Sequence, residues 1–327
     1  MGAEAAHRIE RVVYDGYDIR TWYTSPYPLP DELKQATLYV CPGCFKYMTT
    51  PATLQAHRRA CAFRHPPGRR MYQRGAHIIW EVDGAQEKLY VQNLCLFGKL
   101  FIDHKTVCFD VEPFVCYVLT DATSQFDHVL GFFSKEKVSY DDYNLACIVV
   151  FPPYQRKGYG TLLMEYSYYL SRSAAVAGTP ERPLSALGLR GYVAFWTAQV
   201  VRTLQLAYTP TAPAAPRIRA LLAGTPVPPP ANPPKRRKTA RGWAGEVVKD
   251  TAVAEHAPPL PPLPPTTTLE RLAAAAGLRV DDTTLGLAHA GLLAEHDGRL
   301  HLSCAAIDAA AQRLHLKPAI LDEAYLL

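Results

Sequence analysis

The hexapeptide Gln155-Arg156-Lys157-Gly158-Tyr159-Gly160 decides the fold prediction for this chain of 327 residues. It follows an apolar run, Leu145–Phe151, and a Pro-Pro-Tyr turn, and it precedes a segment in which Leu163, Tyr166 and Leu170 share one helical face. This order predicts a strand, a glycine-bearing loop and a helix. Glycine permits close backbone approach and positive φ, and the amides at a helix N-terminus attract phosphate. We therefore predict a phosphate-binding loop within an α/β domain.

Composition limits the classes of protein to which the chain can belong. It is 48% hydrophobic and 20% charged with a net charge of +5, which is typical of a globular protein that tolerates acidic partners. No apolar run approaches the ~20 residues that span a bilayer, so no membrane association is expected. Eight cysteines without a signal-peptide pattern indicate reduced thiols and a metal site rather than disulfides.

Four regions differ in composition. We assign residues 8–75 to a Cys-containing module, 76–203 to a core with the glycine loop, 204–265 to a proline-rich insertion and 266–327 to a C-terminal helical module. The insertion holds more than half of the 28 prolines and the basic run Lys235–Lys238, and we expect it to be largely disordered or extended. That basic run is equally consistent with a nuclear import signal, a DNA-contacting arm or a solubilising charge run.

The C-terminal region has the outline of a winged-helix unit. A first helix is expected over the leucines from Leu269 to Leu278, and a second is expected to carry Leu285 to Leu293. His296-Asp297-Gly298 then predicts a hairpin turn into a strand that contains Leu300.

Four soft metal ligands occur at zinc-finger spacing, Cys41-x2-Cys44-x12-His57-x3-Cys61. A Cys-x-x-Cys knuckle places two thiolates on one metal, and a helix over residues 53–61 puts His57 and Cys61 on one face. Four protein ligands leave no open position, so we predict a closed, structural zinc site. Whether its basic surroundings contact a nucleosome or form only a solvated face stays open; they are Arg58, Arg59, Arg64, Arg69 and Arg70.

In these features the chain resembles the MYST family of histone acetyltransferases. The resemblance is continuous over about residues 11–203 and resumes weakly from about 266. Besides the zinc finger, the matching runs are Tyr17–Pro26, Tyr90–Leu96, Lys99–Thr106, Asp110–Phe114, Gly131–Lys137, Asn144–Cys147, Pro152–Gly160 and Pro180–Ser185. Phe97, Val150-Phe151 and Gly188–Tyr192 look most like the fungal Something-About-Silencing subgroup, whereas the proline-rich insertion departs from the family pattern.

The resemblance implies an α/β acetyltransferase core of the GNAT-like type. An N-terminal C2HC zinc-finger module and a C-terminal winged-helix-like helix-turn-helix module would flank it. It implies acetyl-CoA as cosubstrate, structural zinc, and a histone tail or nucleosome as acceptor, with the lysine at the sixteenth residue of histone H4 if the subgroup holds. Scaffold subunits of a chromatin complex, DNA contact through basic segments and a nuclear location are further expectations.

Two residues are expected to carry the chemistry. The resemblance gives Glu181 the role of general base, because a protonated lysine cannot attack a thioester. It matches Cys147 to the active-site cysteine, which we expect in the middle of an apolar strand. Two mechanisms stay open: Cys147 accepts the acetyl group in a ping-pong route, or lysine attacks acetyl-CoA directly and Cys147 only shapes the pocket. We favour direct attack, because an enzyme thioester gains little in reactivity.

Coenzyme contacts are expected from backbone groups of Ile148 and Val149, and from Ser185. The loop would supply the others, which are Gln155, Arg156, Lys157, Gly158, Tyr159 and Gly160. Lys105 matches the lysine that the family acetylates on itself, which implies that it lies near the cleft.

The remaining cysteines, Cys95, Cys108, Cys116 and Cys304, lack ligand spacing and are interpreted as buried small hydrophobic residues. Two rival functions are a chromatin-binding subunit that has weak or lost acetyltransferase activity, and an acetyltransferase for small amines or non-histone proteins.

Overall fold

The computed structural model describes residues 9–30, 33, 37–103, 105–227 and 262–327. Two compact units divide the chain, one formed by Met1–Phe195 together with Pro318–Leu327, and the other by Trp196–Lys317. The basic run Lys235–Lys238 lies outside the described residues. Among the residues that the structure describes, every helix is too short or too polar to span a lipid bilayer.

The first unit begins with a small four-stranded sheet and one helix. Its elements are β1 (Arg11–Tyr14), β2 (Tyr17–Arg20), β3 (Leu38–Val40), β4 (Tyr47–Met48) and α1 (Pro51–Ala60), and the strand order is β2-β1-β3-β4. The β1–β2 hairpin closes at Asp15 and Gly16, which have φ values of 51° and 83°. Thr50 caps α1 by accepting a hydrogen bond from the Thr53 amide at 3.2 Å, and Pro51 occupies the first helical position.

A five-stranded antiparallel sheet forms the body of the first unit. Its elements in chain order are β5 (Arg69–Arg74), β6 (His77–Asp83), α2 (Lys88–Lys99), β7 (Phe114–Ala122), β8 (Asp127–Glu136) and, after the separate strand β9 (Tyr143–Leu145), β10 (Cys147–Val150). The strand order is β10-β8-β7-β6-β5, with β10 and β5 at the edges. The predicted boundary between the Cys-containing module and the core, at residues 75 and 76, therefore falls in the β5–β6 turn. The backbone hydrogen bonds between β5 and β6 join residues on both sides of this boundary.

The short strand β9 (Tyr143–Leu145) leaves this sheet and pairs in parallel with β11 (Thr179–Pro180). The single strand predicted over residues 145–151 was wrong, because the chain bends at Ala146, whose amide donates to the Ser134 carbonyl at 2.8 Å. Cys147 is consequently the first residue of β10 rather than the middle of a strand. Helices α3 (Tyr159–Ser173) and α4 (Ala186–Tyr208) follow.

The zinc-finger segment and the body of the unit share one hydrophobic core. Phe45, which directly follows a predicted metal ligand, is fully buried and lies 5.6 Å from Phe97 between ring centroids. Phe97 in turn packs edge-on against Phe151 at 4.8 Å and against Tyr14 at 4.7 Å. Aromatic pairs at these separations contribute beyond their buried area. The finger is therefore integrated into the first unit.

The second unit contains the end of α4 and a set of short elements. They are α5 (Ala215–Ala223), β12 (Thr266–Thr267), α6 (Leu269–Ala276), α7 (Val280–Ala290), β13 (Glu295–His296), β14 (Arg299–His301) and α8 (Cys304–Arg313). The three strands form one sheet in the order β12-β14-β13. Helix α7 stops before the predicted Leu293, because Gly291 adopts a left-handed conformation with φ 65° and ends it.

Two boundary predictions differ from the structure. The insertion expected over 204–265 starts as helix, since α4 runs to Tyr208 and α5 buries Ile218 and Leu222. The apolar spacing within α5 gives it a face to bury, which the count of prolines concealed. The module expected over 266–327 is also divided, because Pro318–Leu327 belongs to the first unit.

Candidate functional site

The four predicted metal ligands converge in the first unit. Cys41 and Cys44 lie between β3 and β4, His57 lies on α1, and Cys61 caps that helix. Their ligand atoms all lie within 4.8 Å of one another, with 3.8 Å between the Sγ atoms of Cys41 and Cys61. Sγ of Cys44 lies 3.2 Å from Nε2 of His57. A tetrahedral zinc ion with Zn–S bonds of about 2.3 Å requires similar ligand separations, so the residues present fit structural zinc.

The knuckle geometry explains Gly43. A Cβ at this position would lie 2.7 Å from the Phe63 carbonyl oxygen, which is too close for any side chain. The backbone can therefore turn tightly enough to aim both thiols at one point. The three cysteines are buried and His57 is partly buried, which leaves no position open for a reacting molecule.

The basic residues around the finger are all exposed but differ in their partners. Arg58 and Arg59 are exposed on α1, but Arg64 donates to the Cys61 carbonyl at 2.7 Å. Arg69 pairs with Glu81 at 2.9 Å, and the Arg70 guanidinium lies 5.8 Å from the Trp80 ring centroid. Three of the five arginines thus have partners within the protein.

The glycine loop lies between β10 and α3, as its sequence predicts. A 3-10 turn over Pro152–Tyr154 leads into it, and Gly158 occupies the N-cap position of α3 with a left-handed φ of 87°. Among the described residues, no side chain accepts a hydrogen bond from the first amides of this helix, so these amides remain available to an anion. Arg156 and Lys157 are exposed beside those amides. The Gln155 side chain points back to the end of β10 and donates to the Val150 carbonyl at 2.8 Å.

Strand β10 presents a free edge next to this loop. It pairs on one side with β8, where Ile148 faces Phe133 and Val149 faces Phe132, and no described strand pairs with its other side. Outward backbone groups of an edge strand can pair with an extended ligand.

The pairing of β9 with β11 brings Cys147 and Glu181 together. Pro180 is the register partner of Leu145, and the Glu181 amide donates to the Leu145 carbonyl at 2.8 Å. Neighbouring strands are about 4.8 Å apart, so Glu181 lies beside the chain that enters β10 at Cys147. Glu181 itself is exposed and Cys147 is partly buried, as the rim and wall of a cleft require.

The electrostatic environment separates the roles of these two groups. Although Glu181 is exposed as a residue, partial desolvation of its carboxyl raises the pKa above its ordinary value, the negative charge of Glu136 raises the pKa further, and Lys105 opposes both. Burial likewise raises the pKa of the Cys147 thiol, whereas the positive charge of Lys105 lowers it. The pKa of Glu181 is thereby brought closer to the pH at which a general base works. The raised pKa of Cys147 keeps this residue a protonated thiol at neutral pH.

Comparison with known proteins agrees with both parts of this architecture. The model of the MYST family zinc finger domain matches residues 6–61, and the model of the MOZ/SAS family matches residues 65–220. By these two matches, residues 6–220 belong to the MYST family.

Curated histone acetyltransferases are similar to part of the chain. The chain is 46% identical over 202 residues to histone acetyltransferase MOF of Drosophila melanogaster, and 45% identical over 204 residues to histone acetyltransferase KAT6B of Macaca fascicularis and of Homo sapiens. Each match covers 62% of this chain, but only 24% of MOF and 10–11% of KAT6B. The chain thus spans about a quarter or less of the length of these relatives.

Lys105 is buried in this MYST core, not exposed as an ordinary lysine would be. Its exposed fraction is 6%, and its charge acts on both Cys147 and Glu181. Burial lowers the pKa of the Lys105 ammonium, but the combined negative charge that four nearby cysteines carry when ionised raises it by more, so the pKa lies above its ordinary value; they are Cys95, Cys147, Cys116 and Cys108. The structure therefore places Lys105 near the cleft.

The remaining residues named in the sequence analysis are Ser185 and four cysteines, and not all of them lie where the sequence predicts. Ser185 accepts a hydrogen bond from the Gly188 amide at 3.1 Å, so it stabilises the start of α4. Cys95, Cys108 and Cys116 are buried as expected, but the prediction for Cys304 was wrong, because this residue begins α8 and is exposed.

Sequence reasoning also missed the MYST core residue Glu136. It ends β8 and acts on Glu181 through space, and no local pattern could have connected two residues that only the tertiary fold brings together.

Proposed function

We propose that this protein is a histone lysine acetyltransferase that uses acetyl-CoA as the donor and Glu181 as the general base. The observation that carries the proposal is the β9–β11 pairing, which holds Glu181 beside Cys147 at the start of the strand that leads to the glycine loop. The similarity to MOF and KAT6B, both named histone acetyltransferases, supports it.

In the proposed reaction the chain binds and aligns both substrates. The uncapped N-terminus of α3, with Arg156 and Lys157, holds the pyrophosphate, and the free edge of β10 aligns the arm that carries the thioester. Ser185 is proposed to lie near the coenzyme.

Glu181 then takes a proton from the substrate ammonium. The freed amine attacks the thioester carbonyl, the C–N bond forms and the C–S bond breaks. The nitrogen loses its second proton to the departing sulfur, so coenzyme A leaves as its thiol. In this direct route Cys147 stays protonated and shapes the wall of the cleft.

We propose in addition that Lys105 is acetylated by the enzyme itself. The position of this buried amine near Glu181 and Cys147 supports the idea. Acetylation would remove the positive charge that lowers the pKa of Glu181, so modification would make the base stronger. Intact-mass and peptide mass spectrometry on active enzyme should detect acetyl-Lys105; active enzyme with only unmodified Lys105 would refute the proposal.

The finer assignments extend this proposal. The silencing-type subgroup, the sixteenth residue of histone H4 as acceptor, scaffold partners, DNA contact and a nuclear location rest on the family resemblance. The order α6, α7, β13, β14 supports a winged-helix-like end.

The test is acetylation of recombinant nucleosomes by the purified chain, followed by site mapping with mass spectrometry. We expect acetyl-lysine in the H4 tail with wild-type protein, and none with Glu181→Gln. Acetylation of other histone lysines would refute only the H4 assignment. A protein that is thermally stabilised by acetyl-CoA but modifies no histone would instead be a chromatin-binding subunit or act on other amines.

A further inference from the structure

The segment Pro318–Leu327, here called the strap, lies along the edge of the first unit. Leu326 forms an antiparallel bridge with Tyr72, and the Leu327 amide donates to the Met71 carbonyl at 2.8 Å. The strap thereby covers the outer side of β5. Glu323 pairs with Arg172 at 2.9 Å, and the Tyr325 ring lies 5.8 Å from the Arg74 guanidinium carbon. These contacts fix the distal half of the strap to β5 and to the end of α3.

A buried carboxylate fixes the proximal half. Glu165 is only 6% exposed, and one of its oxygens accepts hydrogen bonds from the Ile320 amide at 2.8 Å and the Leu321 amide at 2.7 Å. A buried carboxylate is costly unless it is hydrogen-bonded, and bonds to a charged acceptor are stronger than neutral ones. Glu165 therefore holds the strap backbone at one position on α3.

The same strap residue contacts the glycine loop. A Cβ built on Gly158 would lie 3.0 Å from Cδ1 of Ile320, so the Ile320 side chain lies against the N-cap residue of α3. The Ile320 carbonyl also accepts a hydrogen bond from Arg74 at 3.2 Å. Glu165 lies in the second turn of the helix that Gly158 caps, so Glu165, Ile320 and Gly158 form one continuous set of contacts.

We propose that the strap is a positioning element for the coenzyme loop, with Glu165 acting through Ile320 to hold Gly158 in its left-handed conformation. This inference rests on the proposed binding of coenzyme A at the loop. A loop held in its bound conformation binds its ligand with a smaller ordering cost. Coupling between two sites is reciprocal, so coenzyme binding must stabilise the docked strap by the same factor by which the strap strengthens coenzyme binding.

The experiment measures coenzyme A binding to the full chain by isothermal titration calorimetry. Ile320→Ala removes the contact with Gly158, and Glu165→Ala removes the acceptor of both strap amides. We expect Kd to rise roughly five-fold or more in each variant. Glu165→Gln keeps an oxygen acceptor and should recover most of the affinity. The matched control is Glu323→Gln, which changes a strap contact remote from the loop and should leave Kd within about two-fold.

Steady-state kinetics separate positioning from general damage to the fold. The KM for acetyl-CoA should rise in Ile320→Ala while kcat and the KM for histone stay unchanged. Hydrogen exchange at the Ile320 and Leu321 amides of wild-type protein should slow when coenzyme A is added.

Wild-type protein that binds no coenzyme A would overturn the proposed function and this inference with it. Wild-type protein that binds, with unchanged Kd in both Ile320→Ala and Glu165→Ala, would overturn the role of the strap alone. A rise in Kd that is equal in Glu323→Gln would also overturn it, because the effect would then not depend on the loop contact.

Discussion

The zinc finger and the transfer cleft hold their functional residues in opposite ways. The four finger ligands lie within one segment, Cys41 to Cys61, and a hairpin and a single helix bring them together. Cys147 and Glu181 are 34 positions apart, and the pairing of β9 with β11 brings them together. The finger surrounds its ion with four protein ligands, whereas the cleft leaves Glu181 exposed.

The finger therefore contributes to the stability of the fold, whereas the cleft carries the chemistry. A closed ligand set stabilises the fold, because metal binding and folding are coupled. An open carboxylate with a raised pKa contributes reactivity, because it can exchange protons with a substrate. The two regions still share one core through Phe45 and Phe97, so damage to the finger should reach the cleft, while damage to the cleft should leave the finger intact.

The largest effect is expected from breaking the finger. Cys44→Ser should abolish stoichiometric zinc binding and lower the free energy of unfolding by more than about 4 kcal/mol, as is typical when a structural metal is lost. Zinc content by mass spectrometry and urea unfolding measure both. The matched control is Cys304→Ser, since Cys304 is exposed on α8 and should alter neither quantity. Full zinc content with unchanged stability in Cys44→Ser would disprove the structural role.

A substitution in the cleft should lower the rate of the reaction and leave the zinc site unchanged. Glu181→Gln should lower kcat roughly 10²–10⁴-fold, because the substrate ammonium loses its general base. Zinc content and thermal stabilisation by acetyl-CoA should be unchanged. Glu112→Gln is a suitable control, since Glu112 is a surface carboxylate paired with Lys88 and should leave kcat unaltered. Near-normal kcat in Glu181→Gln would mean that another group removes the proton.

A smaller effect concerns pH. The base must be ionised, so kcat/KM for histone should fall as pH decreases through the pKa of Glu181, which lies above the ordinary carboxyl value. Glu136 contributes to that raised pKa, so Glu136→Gln should lower the pKa and move the acidic limb to lower pH. Rate profiles of wild type, Glu136→Gln and the Glu112→Gln control measure this shift. A limb that stays in place, or moves to higher pH, would contradict the electrostatic account of the cleft.

The same contrast explains what the sequence could predict. The Cys41–Cys61 ligands and the 155–160 loop depend on local spacing, and the structure has both where the sequence predicts them. The bend at Ala146, the effect of Glu136 on Glu181 and the return of the strap to Glu165 all depend on contacts between distant segments. No periodicity within one segment carries that information, and helix α5 was concealed because prolines dominate its surroundings.

The central claim is that lysine attacks the donor directly, with Glu181 as base and Cys147 as part of the wall. The most direct test is the turnover of Cys147→Ala at saturating acetyl-CoA and histone. Since burial raises the pKa of the Cys147 thiol and keeps it protonated, we predict that this variant retains activity within roughly ten-fold of wild type. Abolished turnover in Cys147→Ala, with acetyl-CoA binding intact, would show that the acetyl group passes through the thiol and would contradict the account.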